Sequence, residues 1–198
     1  MRLLAFSDLH RDVGQARHLA ERAGDANVVI AAGDFASVHR GLEQMIEVLS
    51  AIEQPTLLVP GNNETEDALR AACAHWQAAT VLHGEGLELD GVQFFGLGAG
   101  VPVTPWDWSF DLSEEQASEK LAGCPEGAVL VSHSPPKGHV DNGLGSTAVL
   151  RAIEQKRPPL VVCGHIHECW GQESEVGPTR VVNLGPDGVE IELPGGPI

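Results

Sequence analysis

Five short segments carry side chains suited to binding divalent metals: Asp8 with His10, Asp34, Asn62, His133, and His165 with His167. Carboxylate and amide oxygens mixed with imidazole nitrogens favour manganese, iron, cobalt, nickel or zinc over calcium or magnesium. Seven donors are too many for one first-row ion. They suit two ions sharing a carboxylate, an arrangement that serves in-line displacement at phosphorus. Alternate residues of an extended segment point the same way, so Asp8/His10 and His165/His167 can each aim two side chains into one cleft. A single histidine at a strand end is more often a surface residue than a ligand. The ordered set carries the reading.

Each donor segment follows a short apolar run: residues 2–6, 27–32, 56–59, 128–131 and 160–163. Helical spacing of apolar residues fills Val13–Ala23, Arg40–Ile52 and Glu66–Trp76 between the first three runs and after the third. This alternation predicts a parallel sheet covered by helices, with strands buried on both faces. In such sheets, sites form outside the carboxyl ends of the strands, which would let five scattered segments converge. Further on, Asp90-Gly91 marks a hairpin between 87–89 and 92–97. Ser113 with Gln116 reads as a capping box for a helix reaching Leu121. Residues 99–109 form a loop rich in Gly, Pro and Trp, Ser146–Lys156 is helical, and Arg180–Asn183 and Val189–Leu193 are late strands. The stretch Ser134–Gly145 is a candidate mobile or substrate-facing loop. There is no internal repeat and no long linker, so residues 1–198 read as a single domain.

The formal net charge is −16. A broad nucleic-acid surface needs clustered Lys and Arg, so that class of partner is excluded. An acidic chain that handles phosphate must find positive charge elsewhere, and a bound metal ion is a ready source. No apolar run approaches a membrane span or a signal-peptide core, which predicts a cytoplasmic protein without a membrane partner. Cys73, Cys124, Cys163 and Cys169 show no C-x-x-C spacing and read as reduced structural thiols.

In order along the chain, Asp8-x-His10, Gly33-Asp34, Gly61-Asn62-Asn63-Glu64, His133 and Gly164-His165-x-His167 resemble the five motifs of the calcineurin-like metallophosphoesterases. Compact size and the segment Ser132-His133-Ser134-Pro135-Pro136 are similar to the small Icc-related prokaryotic members. The resemblance implies an α/β fold of the metallo-dependent phosphatase type, a four-layer α/β/β/α sandwich with mixed sheets. It implies two divalent cations, manganese first among the candidates. Asp8, His10, Asp34 and His167 would hold one, and Asp34, Asn62, His133 and His165 the other. It also implies a small phosphorylated substrate, a phosphomonoester or phosphodiester, attacked by a hydroxide shared between the metals. The catalytic assignment falls on Asp34, His133 and Asn63.

Asn63 departs from the pattern, because the third motif usually has histidine there. An amide can donate a hydrogen bond to phosphate but cannot deliver a proton near neutral pH. Weak turnover of esters with poor leaving groups is therefore expected, with His39 and His139 as alternative proton sources. Arg11 is a candidate phosphate contact. Trp106 and Trp108 are core residues by default and a stacking surface for a nucleobase if they reach the rim. Glu64 would orient Asn63 or favour the start of the next helix. His18, His75 and His83 are expected to face solvent. The alternatives are a metal-binding module with little catalysis, which Asn63 permits, and a hydrolase of another class, such as an amidohydrolase. Strand edges after Arg180 would suit a homodimer.

Overall fold

The computed structural model describes residues 1–193. Among them are eleven strands: β1 (Arg2–Phe6), β2 (Val28–Ala31), β3 (Thr56–Leu58), β4 (Ala79–Val81), β5 (Glu85–Leu89), β6 (Val92–Leu97), β7 (Val129–Ser132), β8 (Leu160–Cys163), β9 (Glu173–Val176), β10 (Thr179–Asn183) and β11 (Val189–Glu192). The α-helices are α1 (Val13–Arg22), α2 (Leu42–Leu49), α3 (Glu66–Cys73), α4 (Glu114–Leu121) and α5 (Thr147–Lys156).

One sheet runs β11-β1-β2-β3-β4 and the other β5-β6-β7-β8-β10-β9. In the first, β1 to β4 are parallel and β11 is antiparallel. In the second, β6, β7, β8 and β10 are parallel, with antiparallel β5 and β9 at the edges. Leu3, Ile30, Leu57, Phe94, Val131 and Val162 pack between the sheets. A second core lies under α1, α2 and α3, and a third under α4 and α5. The result is the four-layer α/β/β/α sandwich with mixed sheets. Inner strands such as β2, β7 and β8 are buried at every position, which is why they read as unbroken apolar runs. Each large apolar side chain taken fully inside stabilises the fold by roughly 1.5–3 kcal/mol.

Local chemistry sets the helix starts. Asp12, Thr65 and Ser146 each accept a backbone N–H at the start of α1, α3 and α5. The Ser113–Gln116 capping box at α4 forms as expected. The hairpin also forms, with Asp90 and Gly91 both at positive φ.

The differences from the sequence reading are local. Helices α2 and α3 are shorter at their ends than the periodicity suggests. Strands β4 and β9 were not expected: β4 is three residues long and β9 reads Glu-Ser-Glu-Val, so neither offers an apolar run. Strand β10 lies between β8 and β9 and offers no free edge, whereas β11 does lie at one.

Candidate metal centre

The carboxyl ends of β1, β2 and β3 in one sheet and of β7 and β8 in the other meet at one end of the sandwich. Backbone hydrogen bonds tie the ends together: Asp8 N–H donates to Gly33 O at 2.9 Å, and Gly164 N–H to His133 O at 2.9 Å. Asp8, His10, Asp34 and His165 all sit at positive φ, between 42° and 67°. Backbone strain of this kind persists where the surroundings over-determine it, often at functional sites. Two glycines permit the close approach. A Cβ on Gly61 would lie 2.0 Å from Asp34 Oδ1, and one on Gly164 would lie 2.4 Å from Asp8 Oδ2.

All seven predicted donors come together. Asp8, His10 and His167 form one group whose ligand atoms lie within 4.8 Å of one another, and Asp34, His133 and His165 form a second. Asp34 stands between them, with Oδ2 3.6 Å from His10 Nε2 and Oδ1 3.5 Å from His133 Nε2. Asn62 Oδ1 lies 3.4 Å from His133 Nε2. Asn62 Nδ2 donates to Ser109 Oγ at 2.9 Å, which turns Oδ1 toward the centre.

The donor set fits divalent cations. His133 Nδ1 meets Ala32 O at 2.7 Å, and His10 Nδ1 meets Ala36 O at 3.3 Å. Those carbonyls hold the Nδ1 protons and leave the Nε2 lone pairs facing inward, as a ligating histidine requires. His10 Nε2 and His167 Nε2 face each other at 3.0 Å. Burial, reinforced by His133, His167 and His10, lowers the His165 pKa to about 3, so its ring stays neutral. The fold and these two groups imply divalent metals.

Burial pushes the Asp34 carboxyl up to about 7, and the Asp8 charge adds to the shift. Glu64 is likewise pushed up to about 7, by burial and then by Asp34. A cation binding at Asp34 must displace the proton that Asp34 holds below about pH 7. Metal affinity is therefore expected to rise with pH, by up to roughly tenfold per unit below about 7, and to level off above it. Titration calorimetry in buffers of different ionisation enthalpy checks this through the protons released. Equal affinity and no proton release between about pH 5.5 and 7 would contradict it.

Three placements differ from expectation. Glu64 neither orients Asn63 nor caps the helix, where Thr65 serves instead. Its carboxylate accepts Asp34 N–H at 2.8 Å, Gly61 N–H at 2.7 Å and Ala36 N–H at 3.0 Å. Asn63 Nδ2 donates to Asp34 Oδ2 at 2.7 Å and its Oδ1 accepts Val38 N–H at 2.8 Å, so both ends of the amide are engaged. His83 is buried rather than solvent-facing, accepting Gly98 N–H, and burial lowers its pKa to about 4.

The spare side chains sort out clearly. His39 Nε2 meets Trp108 O, and His139 Nδ1 meets Ser174 Oγ. Arg11 lies along Gly41, outside the cleft wall. The 134–145 loop is pinned by Asp141, which accepts from Gly138, Gly143 and Gly145, yet it presents Leu144 to the cleft.

Sequence reasoning missed Trp170. Its Nε1–H donates to Asp8 Oδ2 at 3.2 Å, and its ring lies 4.3 Å from that of His167. Position three after His167 was the available signal. Outer-shell partners of this kind typically change metal affinity by about 10–100-fold. Trp170→Phe keeps an aromatic ring beside His167 and removes the donor, so metal affinity is expected to fall about tenfold while the fold stays intact. An unchanged binding isotherm would show that the Asp8 contact does nothing for the metal.

The chain matches the family model described as the calcineurin-like phosphoesterase superfamily domain over residues 1–191. It belongs to that superfamily. A UPF0046 protein of Caenorhabditis elegans is 33% identical over 125 residues, covering 57% of this chain and 30% of the relative. The chain thus spans about a third of that relative's length. Among solved structures, the protein TT1561 of Thermus thermophilus superposes with a TM-score of 0.79 at 18% identity, over 94% of this chain and 90% of that one. A dimetal phosphatase from Danio rerio superposes with a TM-score of 0.67 at 14% identity, over 94% and 88%. These likenesses establish the fold. Family and fold together support a hydrolase. Among the described residues, no helix is long and apolar enough to cross a membrane.

Proposed function

We propose that this chain hydrolyses a phosphomonoester or phosphodiester in the cleft above Asp34. Two divalent cations, manganese foremost, would sit with Asp8, His10, Asp34 and His167 on one side and Asp34, Asn62, His133 and His165 on the other. The observation that supports this best is the position of Asp34 between the two donor groups. When bound, such cations supply positive charge to phosphoryl oxygens and acidify water. That role suits a chain of net charge −16 whose cleft wall carries no Lys or Arg among the described residues. The name of the Danio rerio neighbour, a dimetal phosphatase, accords with it. Four free buried thiols suit a cytoplasmic place of action.

The chain's own residues orient and hold. Ser7, the His165 N–H and Trp170 fix the Asp8 carboxylate. Ala32 fixes the His133 ring, and Ser109 fixes Asn62. In the reaction a water oxygen bonds to phosphorus, the ester P–O bond breaks, and the leaving oxygen takes up a proton. Asn63 has no proton to deliver near neutral pH and neither His39 nor His139 lines the cleft, so solvent is the proton source in this reading. Esters of acidic alcohols then react best. General acid catalysis contributes about 10²–10⁴-fold, so Asn63→His is expected to raise alkyl-ester turnover at least tenfold relative to aryl esters. An unchanged alkyl-to-aryl ratio would sink this account.

A metal-binding module with little turnover is the second reading, favoured by the same engagement of Asn63. Stripping the metal, restoring Mn²⁺, Ni²⁺ or Zn²⁺, and assaying p-nitrophenyl phosphate and bis-p-nitrophenyl phosphate separates the two. Metal-dependent turnover supports the enzyme. Stoichiometric metal without turnover supports the module.

A further inference from the structure

The cleft holds about 550 Å³ and runs from the metal-ligand groups out to the loop after β6. That loop supplies Trp106 and Trp108, whose rings stack on each other with centroids 5.6 Å apart and planes 13° from parallel. Trp106 is 51% exposed, so it is not a core residue. Val103 and Leu144, 63% and 62% exposed, share the same cleft wall. Exposed apolar side chains clustered at the mouth of a polar site mark a binding surface more often than chance.

We propose that this stacked pair is the subsite for the group esterified to the phosphate, and that it selects an uncharged, planar aromatic group. The inference rests on the phosphoesterase reading and names the substrate class for it. Three observations carry the choice. The two indoles brace each other, so the outer face of Trp106 is held flat without cost on binding. An aromatic ring gains from stacking on such a face beyond the area it buries. The charged groups of the cleft wall, histidines aside, are Asp34 and Glu168, so a substrate carrying further phosphates or carboxylates outside the metal groups meets no cation there. An aliphatic chain would fill the space but gain nothing from the parallel planes.

The selectivity must be separated from leaving-group acidity, which also favours aryl esters. Two non-hydrolysable phosphonates of matched size, 2-naphthylmethyl and its saturated decahydro counterpart, are titrated calorimetrically into the metal-loaded protein. Wild type is expected to bind the naphthyl compound about tenfold more tightly. The difference should shrink below about threefold in Trp106→Ala and Trp106→Leu and persist in Trp106→Phe, since only Phe keeps a planar face. Equal binding of the two by wild type overturns the inference, as does a preference that survives Trp106→Leu. In parallel, methyl 2-naphthyl and methyl hexafluoroisopropyl phosphate, whose leaving hydroxyls are nearly equally acidic but only one of which is aromatic, are compared in turnover. A naphthyl advantage in KM supports the subsite. Turnover of both with no advantage overturns it and leaves the phosphoesterase reading standing. A naphthyl preference in binding with no turnover of any ester removes the phosphoesterase reading and with it the assignment of the pair to an esterified group.

Discussion

Replacing Asp34 by asparagine is expected to lower turnover by about 10³–10⁴-fold, the scale on which a residue central to a catalytic unit acts. The same change should take metal content from two ions per chain to at most one. Asp34 stands within 3.6 Å of His10 Nε2 on one side and 3.5 Å of His133 Nε2 on the other. No other carboxylate on the cleft wall is placed between the two groups. An amide of the same shape carries no charge and offers one oxygen where the carboxylate offers two. Some loss of stability accompanies the change, because the two Asp34 oxygens accept Asn63 N–H and Nδ2–H and the amide keeps only one acceptor, so one buried donor loses its partner at about 1–3 kcal/mol. Relief of the burial and Asp8 repulsion that penalise the ionised carboxylate in the metal-free protein offsets part of this, so the variant should still fold. Metal analysis by inductively coupled plasma spectrometry, beside turnover and a urea melt of the metal-free variant, checks all three points. A variant that keeps both ions, or stays within about tenfold of wild-type turnover, would remove Asp34 from the centre of the site.

Replacing Glu64 by alanine should be the most damaging change to the fold among the residues around the site. Glu64 is 1% exposed and accepts backbone N–H groups from Asp34, Ala36 and Gly61. It thereby clamps the loop after β2 to the loop after β3, 30 residues apart in sequence. Each of the three buried donors left unpaired costs about 1–3 kcal/mol, so Glu64→Ala is expected to lose roughly 3–9 kcal/mol. That is a large part of the 5–15 kcal/mol by which domains are ordinarily stable, so the variant should be marginal at 37 °C. Glu64→Gln keeps one acceptor oxygen and should fall between the two. Urea unfolding of the metal-free proteins at constant slope reads the difference. A loss under about 1 kcal/mol for Glu64→Ala would show that water or a local shift satisfies the three donors.

Both predictions concern residues that differ in how far the chain itself announced them. Asp8, His10, Asp34, Asn62, His133, His165 and His167 were visible because each follows an apolar run, and a parallel strand places whatever follows it at the same end of the sheet. The strands were legible for a related reason. Burial on both faces demands unbroken apolar residues, which β2, β7 and β8 show. Where burial is partial the signal fades, and β9, with alternating acids at a sheet edge, carries no apolar run to mark it as a strand.

What the sequence determined by itself was therefore the set of candidate metal donors, the strands that carry them, and the family. Residue type and short-range period encode those things within a few positions along the chain. Tertiary structure alone decided that Glu64 clamps two loops, that Asn63 is spent on Asp34, and that Trp170 reaches Asp8 across 162 residues. It also buried His83 and brought Trp106 to the rim of the cleft. These outcomes depend on how two separate sheets pack face to face. That packing is set by the summed burial of the inter-sheet core, and no local pattern around any one of these residues contains it.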